Sequence, residues 1–240
     1  MVFYLIGIGM DINSISCDAK NILKKCDSVY LESYTVDFPY TFDDLSENLG
    51  VKLTVLQRAF VEDEHLLQEA KTKDIALLVY GDSLSATTHT QLILACKKQN
   101  IPYKIFHNSS IFITIAETGL QLYKFGKTAS MPQWTKAFEP TSFLDYYLEN
   151  KNCGAHTLLL TDIGLDICDA IDQLEIACNK KECKIDKIII LSNAGLDSQK
   201  IYYDTLPNLK IKEISKPYCI IIPGNLHFLE EEYLNVIKEN

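Results

Sequence analysis

The sequence predicts an α/β protein of two domains, the first on a mainly parallel sheet and the second on a mixed sheet, and three observations carry that expectation. Five short apolar runs, VFYLIGIG, IALLVYGD, HTLLLTDIG, IIILSNAG and CIIIPGN, are rich in Ile, Leu and Val, and each ends against glycine or a small polar residue. Runs of that length without alternation suit strands buried on both faces. In the first half, helix-period segments separate the runs, as right-handed crossovers between parallel strands require. In the second half several extended runs follow one another with no helix between them, which points to a mixed sheet.

Taken in order, the first run opens the sheet. The segment 14–26 then places Ile15, Ala19, Ile22 and Leu23 on one helical face, and strands are expected at 28–34 and 52–56. The acidic run FDDLSEN between those strands reads as a solvated helix face. After the run ending at Gly81, residues 88–98 carry Leu92, Ile93 and Ala95 at helical spacing, and PYKIFHN at 102–108 reads as a strand. SSIFITIAETGLQLY is helical in pattern, and a loop follows around Met131 to Pro140. A strand at 156–161, a helix at 165–180 and extended runs at 186–192, 209–215 and 218–222 complete the chain, with EEE at 230–232 on another solvated helix face. A boundary near 112–120 divides the chain into domains 1–114 and 115–240.

Composition restricts function. With 240 residues, 47% hydrophobic and 23% charged, the chain can bury a full core. The formal charge of -9 at pH 7, with no Lys/Arg stripe, argues against nucleic acid as a direct partner. No pair of the eight cysteines is spaced C-x-x-C, and Cys178 and Cys183 have no nearby His to complete a metal set, so the cysteines read as reduced thiols. The start is apolar at once but has no basic n-region, and no run approaches the ~18 apolar residues of a membrane span. The expectation is a cytoplasmic protein with no membrane association and no metal.

In open α/β sheets, ligands bind beyond the carboxyl ends of the strands. The residues there are Gly7 to Met10, Gly81 to Ser85 and Asn108 to Ile111, with Thr161-Asp162 and Asn193 to Gly195 in the second half. GIGMD lacks the third glycine of a dinucleotide fingerprint, and no P-loop occurs. A tight strand-to-helix turn uses those glycines as readily as a ligand contact does. Ser109 or Ser110 can cap the helix that opens after HN, and the same amides can receive a polar ligand group. Asp82 suits an Asx turn or a charged site wall. His89 and His107 read as packed or surface histidines ahead of acid-base or metal groups, and Ser110 lacks a nucleophile elbow. The stretch GDSLSATTH holds more small hydroxyl-bearing residues than a chain reversal needs. These strand ends describe a site that binds and positions.

Eight stretches, running in order along nearly the whole chain, carry a resemblance: VFYLIGIGM, CDSVYLESYT, GDSLSATTH, HNSSI, GLQLYKFG, HTLLLTDI, NAG and IIPGNLHFLEEEYL. Together they resemble the diphthine synthases, of the tetrapyrrole-methylase-like class of S-adenosylmethionine methyltransferases; GD-x-x-x-ATTH joined to GLQLYKFG is the specific part. The resemblance implies two α/β domains of the tetrapyrrole-methylase type with S-adenosylmethionine in the cleft between them, S-adenosylhomocysteine as product, and a homodimer. It implies successive methylation of the amino group of the aminocarboxypropyl arm on a histidine of translation elongation factor 2, in diphthamide biosynthesis. Carried over by position, Met10, Asp82, Ser85, Ser110 and Ile111 contact the cofactor, joined by Thr161, Ala194 and Tyr218. Asp82 is the candidate for an electrostatic role, and no other catalytic side chain is implied.

The chain departs from the family at Ser83, where proline is usual, at Gly164, where lysine is common, and at Asn193, where arginine often stands. The last two lie toward the acceptor side. Corrin or ribosomal RNA methyltransferases of the same fold, and a non-catalytic cofactor-binding scaffold, are the alternatives. Acidic charge counts against the RNA enzyme, and the ATTH and GLQLYKFG pair counts against the corrin enzyme. Family members stop at the trimethylated amine or continue to a carboxylate methyl ester, and no residue here decides between those products.

Overall fold

The structure, a computed structural model, describes residues 1–62 and 65–239. The chain forms two compact units, Met1–Thr114 and Ile115–Asn240.

The first unit is built on five parallel strands, β1 (Phe3–Gly7), β2 (Ser28–Glu32), β3 (Thr54–Leu56), β4 (Ile75–Val79) and β5 (Tyr103–Phe106), in the order β3-β2-β4-β1-β5. Every pairing is parallel, with Leu5 facing Leu77 on one side and Ile105 on the other. The continuous apolar runs follow from burial on both faces. Phe3 and Leu5 join Ile75, Leu77 and Val79 in one core cluster, while Ile6 and Ile8 join Ala76 and Leu78 in another. Each fully buried aliphatic side chain is worth ~1.5–3 kcal/mol.

The helices of this unit are α1 (Cys17–Leu23), α2 (Phe42–Leu49), α3 (Arg58–Glu62), α4 (His65–Ala70), α5 (Thr90–Gln99) and α6 (Ile111–Thr114). The Ser16 hydroxyl caps α1 by accepting from the Ala19 amide at 3.2 Å. Thr41 caps α2 in the same way, and Gly50 ends that helix with φ +67°. Asp43, Asp44 and Glu47 of the acidic run lie exposed on α2, with Leu45 and Leu49 on its buried side.

The second unit has β6 (Ala129–Met131), β7 (Thr157–Thr161), β8 (Lys187–Ser192), β9 (Lys200–Thr205) and β10 (Tyr218–Ile222), ordered β6-β7-β10-β8-β9. β6 runs parallel to β7, and the other pairings are antiparallel. Helices α7 (Phe143–Asn152), α8 (Ile167–Lys180), α9 (Leu206–Lys210) and α10 (Phe228–Glu239) complete it. Phe143, Leu144, Ile171 and Leu174 from α7 and α8 share a core cluster with Ile188, Ile190 and Ile220 of the sheet. Among the described residues no helix is long and apolar enough to cross a membrane.

Three local expectations are corrected. The run expected as a strand at 209–215 is instead the end of α9 followed by irregular chain, and the strand lies earlier, at Lys200–Thr205. Pro207, placed in the first turn of α9, suits a helix start, and Ile211 is exposed where a sheet residue would be packed. SSIFITIAETGLQLY is not one helix: α6 is followed by separate single turns at Ile115–Thr118 and Leu122–Lys124, with Gly119 between them at φ +82°. Finally, Glu230 is not a solvated member of EEE but is buried.

Glu230 has structural work within the second unit. Its Oε1 accepts from the Gln121 amide at 2.9 Å and from His156 Nε2 at 3.1 Å. Its Oε2 accepts from the His227 amide at 2.7 Å and from the Lys124 ammonium. Because the Gly224 amide donates to His156 Nδ1 at 2.8 Å, that ring is neutral and carries its proton on Nε2. Burial pushes the His156 pKa down. For Glu230, burial works to raise the pKa, but the two amides, Lys124 and His156 outweigh it and hold the carboxyl at about 2. GLQLYKFG, the histidine of HTLLLTDI and the glutamate of LEEEYL are thus parts of one clasp.

Candidate functional site

Three loops of the first unit leave the carboxyl ends of β4, β1 and β5, which are neighbours in the sheet. Their glycines set the spacing. A Cβ at Gly7 would lie 2.7 Å from the Gly81 carbonyl oxygen and 3.0 Å from Asp82 Cα, both backbone atoms that cannot swing aside. Gly9 and Gly81 exchange hydrogen bonds of 3.0 and 2.9 Å, so the first two loops are zipped main chain to main chain. The third loop is tied in by Asn108, whose Nδ2 donates to the carbonyls of Gly7 and Ser14 at 3.1 and 3.0 Å. The strand-end glycines therefore serve the turns directly.

Asp82 is the hub of the cluster. Its Oδ1 accepts from the Leu84 amide at 2.9 Å and the Ser85 hydroxyl at 3.3 Å. Its Oδ2 accepts from the Asn108 amide at 3.1 Å and lies 2.8 Å from His107 Nδ1. Burial works to raise the Asp82 pKa, but the Leu84 and Asn108 amides and then His107 outweigh it and hold the carboxyl below its ordinary range. Asp82 is therefore ionised at neutral pH, and the His107 ring that faces it is otherwise exposed.

Gly81 itself, at φ +72°, has a different neighbourhood. A Cβ there would meet Met10 Sδ, the Ser109 carbonyl oxygen and Ser110 Cα, each at 3.7 Å. That is ordinary contact distance, so the space between Met10 and the Ser109-Ser110 backbone is wide enough for a methyl group. Met10 and Ser110 face this space, Asp82 follows Gly81 in the chain with the Ser85 hydroxyl on its carboxylate, and Ile111 follows Ser110 as the first residue of α6. The Ser110 carbonyl receives the Thr114 amide at 3.0 Å, which makes Ser110 the cap position of that short helix.

In the second unit, Thr161 ends β7 and Tyr218 begins β10. Because β10 is antiparallel to β7, with Cys219 opposite Leu160, the start of one strand lies beside the end of the other. The Thr161 hydroxyl donates to the Tyr218 carbonyl at 3.2 Å. Tyr218 is also opposite Ser192 on β8, and Ala194 lies two residues beyond, so Thr161, Ala194 and Tyr218 share one sheet end. Asn193 takes φ +51° there, its amide bonded to the Pro217 carbonyl at 2.8 Å.

The family model described as Tetrapyrrole (Corrin/Porphyrin) Methylases matches residues 2–210. The chain belongs to this family. Within tetrapyrrole methylases, it is 35% identical to the diphthine methyl ester synthase of Homo sapiens, over 100% of this chain and 96% of that protein. It is 36% identical to the diphthine synthase of Methanocaldococcus jannaschii, over 98% of each. A crystal structure of a diphthine synthase superposes with a TM-score of 0.91 at 27% identity, covering 100% of this chain and 96% of that one.

Two contacts of this cluster could not be read from the motifs. Asn108 joins three loops through both its side chain and its amide; its place after β5 and within HNSSI marked the residue, but not those contacts. Glu32, at the end of β2, is fully buried and 2.8 Å from His89 Nε2; a glutamate in VYLESY gives no hint of that partner. Among the described residues no three His, Cys, Asp or Glu side chains gather as a metal set.

Proposed function

We propose that this tetrapyrrole-methylase family member is a diphthine synthase that successively methylates the amino group of the aminocarboxypropyl-modified histidine of translation elongation factor 2. The carrying observation is similarity across essentially the full chain to proteins named diphthine synthase and diphthine methyl ester synthase. The cofactor is S-adenosylmethionine, which when bound supplies an electrophilic methyl group on a cationic sulfur. Met10, Asp82, Ser85, Ser110 and Ile111 of the first unit hold it.

The first-unit residues fit such a ligand on two counts. The methyl-sized space at Gly81 lets a bulky group approach the main chain. Asp82, kept ionised by its amide and His107 contacts, contributes fixed negative charge that suits a cationic ligand. The chain's own residues position the reactants, and positioning can supply much of the acceleration. The acceptor amine must shed a proton before each transfer, and water can take it. The protein acts without a metal, in the cytoplasm, as a homodimer.

Mass spectrometry of elongation factor 2 bearing the unmethylated arm, after incubation with protein and S-adenosylmethionine, tests the function. Successive methyl-mass increments that survive mild alkali are N-methyl groups, and an alkali-labile final increment is the ester. No mass shift, with the cofactor bound, would make the protein a scaffold and overturn the proposal. Calorimetry in the presence of a chelator tests the metal-free cofactor site, and binding lost on metal removal would count against it.

A further inference from the structure

His89 closes the stretch GDSLSATTH and is almost completely buried. Its ring touches acceptors on both sides. Nδ1 lies 3.1 Å from the Ser83 carbonyl oxygen, and Nε2 lies 2.8 Å from Glu32 Oε2. A carbonyl oxygen can only accept, so Nδ1 must carry a proton. Nε2 lies at ion-pair distance from Glu32 Oε2, which has no aligned hydrogen-bond donor among the described residues, and an ionised carboxylate there calls for the second proton on Nε2. A neutral imidazole has one N–H, and in this cage it would leave two acceptors facing each other at one end. The geometry is that of an imidazolium paired with a buried carboxylate.

The rest of the cage serves the same arrangement. The Thr35 hydroxyl donates to Glu32 Oε1 at 2.7 Å, satisfying the far oxygen. The Thr87 hydroxyl donates to the Ser83 carbonyl at 3.2 Å. Ser83 is thus gripped through its carbonyl, one residue from Asp82 and two from Gly81. Glu32 is anchored at the end of β2, so the pair ties the loop after β4 to a neighbouring strand of the sheet. Breaking such a pair leaves a buried charge uncompensated, which is strongly destabilising.

We propose that His89 is a positioning residue whose proton holds the Gly81 to Thr88 loop in its cofactor-binding form, so that S-adenosylmethionine affinity falls as the protein is taken to alkaline pH. The inference rests on the reading of this loop as part of the cofactor site. Burial works to lower the His89 pKa, but the Glu32 hydrogen bond and charge and the Ser83 carbonyl outweigh it and raise the pKa above the ordinary imidazole range. A raised folded-state pKa means that the stabilisation is fully present below the ordinary value. It is lost as pH rises through the elevated one. The groups facing His89 are Glu32 from β2 and the Ser83 carbonyl and Thr87 hydroxyl from its own loop. Asp82 lies on the same loop, faced by His107 from the loop after β5, and that pair needs its own control.

The test measures S-adenosylmethionine dissociation constants by calorimetry from mildly acidic to alkaline pH on three proteins. These are wild type, His107→Gln, and the double variant Glu32→Gln/His89→Gln. In the double variant a glutamine at 89 can donate to the Ser83 carbonyl and accept from a glutamine at 32, so the cage is kept without a titrating group. Wild type and His107→Gln should both weaken by roughly tenfold for each pH unit by which binding raises the His89 pKa. The double variant should vary much less, and the ligand's own amine titrates equally against all three. A wild-type profile that matches the double variant would overturn the inference while leaving the cofactor site intact. A dependence lost in His107→Gln would assign it to the Asp82–His107 pair and overturn the inference too. No binding by wild type at any pH would overturn the proposed function and this inference with it. Independently of ligand, ring-nitrogen NMR of the wild-type protein near neutral pH should show both His89 nitrogens protonated, and a single neutral tautomer would sink the proposal.

Discussion

Gly81 and Ser83 are neighbours with opposite tolerances, and the difference can be measured. Gly81 has φ +72°, where a Cβ costs roughly 1 kcal/mol. The added methyl would enter the space between Met10 and Ser110 without touching anything closer than 3.7 Å. Gly81→Ala should therefore lower the melting temperature by only a few degrees. Cofactor binding should weaken more than ~tenfold, or over ~1.4 kcal/mol. Thermal melts beside calorimetry check this, and equal proportional losses of folding and binding would return Gly81 to a turn residue. Ser83 is buried and its hydroxyl has no hydrogen-bond partner among the described residues, at a position where the resembling family usually carries proline. A buried, unpaired hydroxyl costs about 1–3 kcal/mol. Ser83→Ala keeps the carbonyl that His89 grips, so it should raise the melting temperature by a few degrees with unchanged cofactor affinity. A lower melting temperature would show that the hydroxyl has a partner in solution. Much of this cluster was legible as residues following apolar runs, because the carboxyl ends of the neighbouring parallel strands β4, β1 and β5 lie side by side. The His89 to Glu32 contact was not, because it joins two strand ends far apart in sequence.

At the scale of elements, apolar runs located the central strands because both faces of β1 and β4 are buried. The method failed for β9, an edge strand whose KIYYDT carries a Lys and an Asp and no fully buried residue, while the apolar residues of NLKIKEI drew the expectation to the following segment. Tyr218 shows a different limit. It begins its strand, so the rule about carboxyl ends passed over it, and only the antiparallel pairing of β10 places it beside Thr161. Charge was misleading for α10, where one glutamate of three turns inward to close the clasp with Lys124, His156 and the Gln121 and His227 amides. Replacing that carboxylate leaves the ammonium and the amides short of charge. Glu230→Gln should destabilise the protein by about 1.5–3 kcal/mol, the range for a hydrogen bond to a charged group. Chemical denaturation checks this, and a change below ~0.5 kcal/mol, the size of an ordinary surface substitution, would mean that the clasp contributes little.

For the whole molecule, Asp82 in the first unit and Glu230 in the second are buried, ionised carboxylates that each gather several donors, and their proton equilibria predict how the protein responds to acid. Both folded-state pKa values are depressed, so each hub stabilises its unit fully above the unfolded pKa and loses that contribution as pH falls toward the folded one. For Glu230 the loss spans the interval from its ordinary 4.5 down to about 2. For Asp82 it begins lower, below the ordinary 3.8. The stabilisation from the clasp of the second unit should therefore begin to decline at a higher pH than that from the loop hub of the first. Amide hydrogen exchange, corrected for intrinsic rates, reads this at named positions: Gln121 and His227, whose amides bond Glu230, and Leu84 and Asn108, whose amides bond Asp82. Protection at the first pair should begin to decline at a higher pH than at the second, and Glu230→Gln should remove the pH dependence at Gln121 and His227 while leaving that of Leu84 and Asn108 in place. Simultaneous loss at all four amides would show that acid acts through global unfolding driven by the many surface carboxylates of this chain, and the two hubs would then have no separable role in its acid stability.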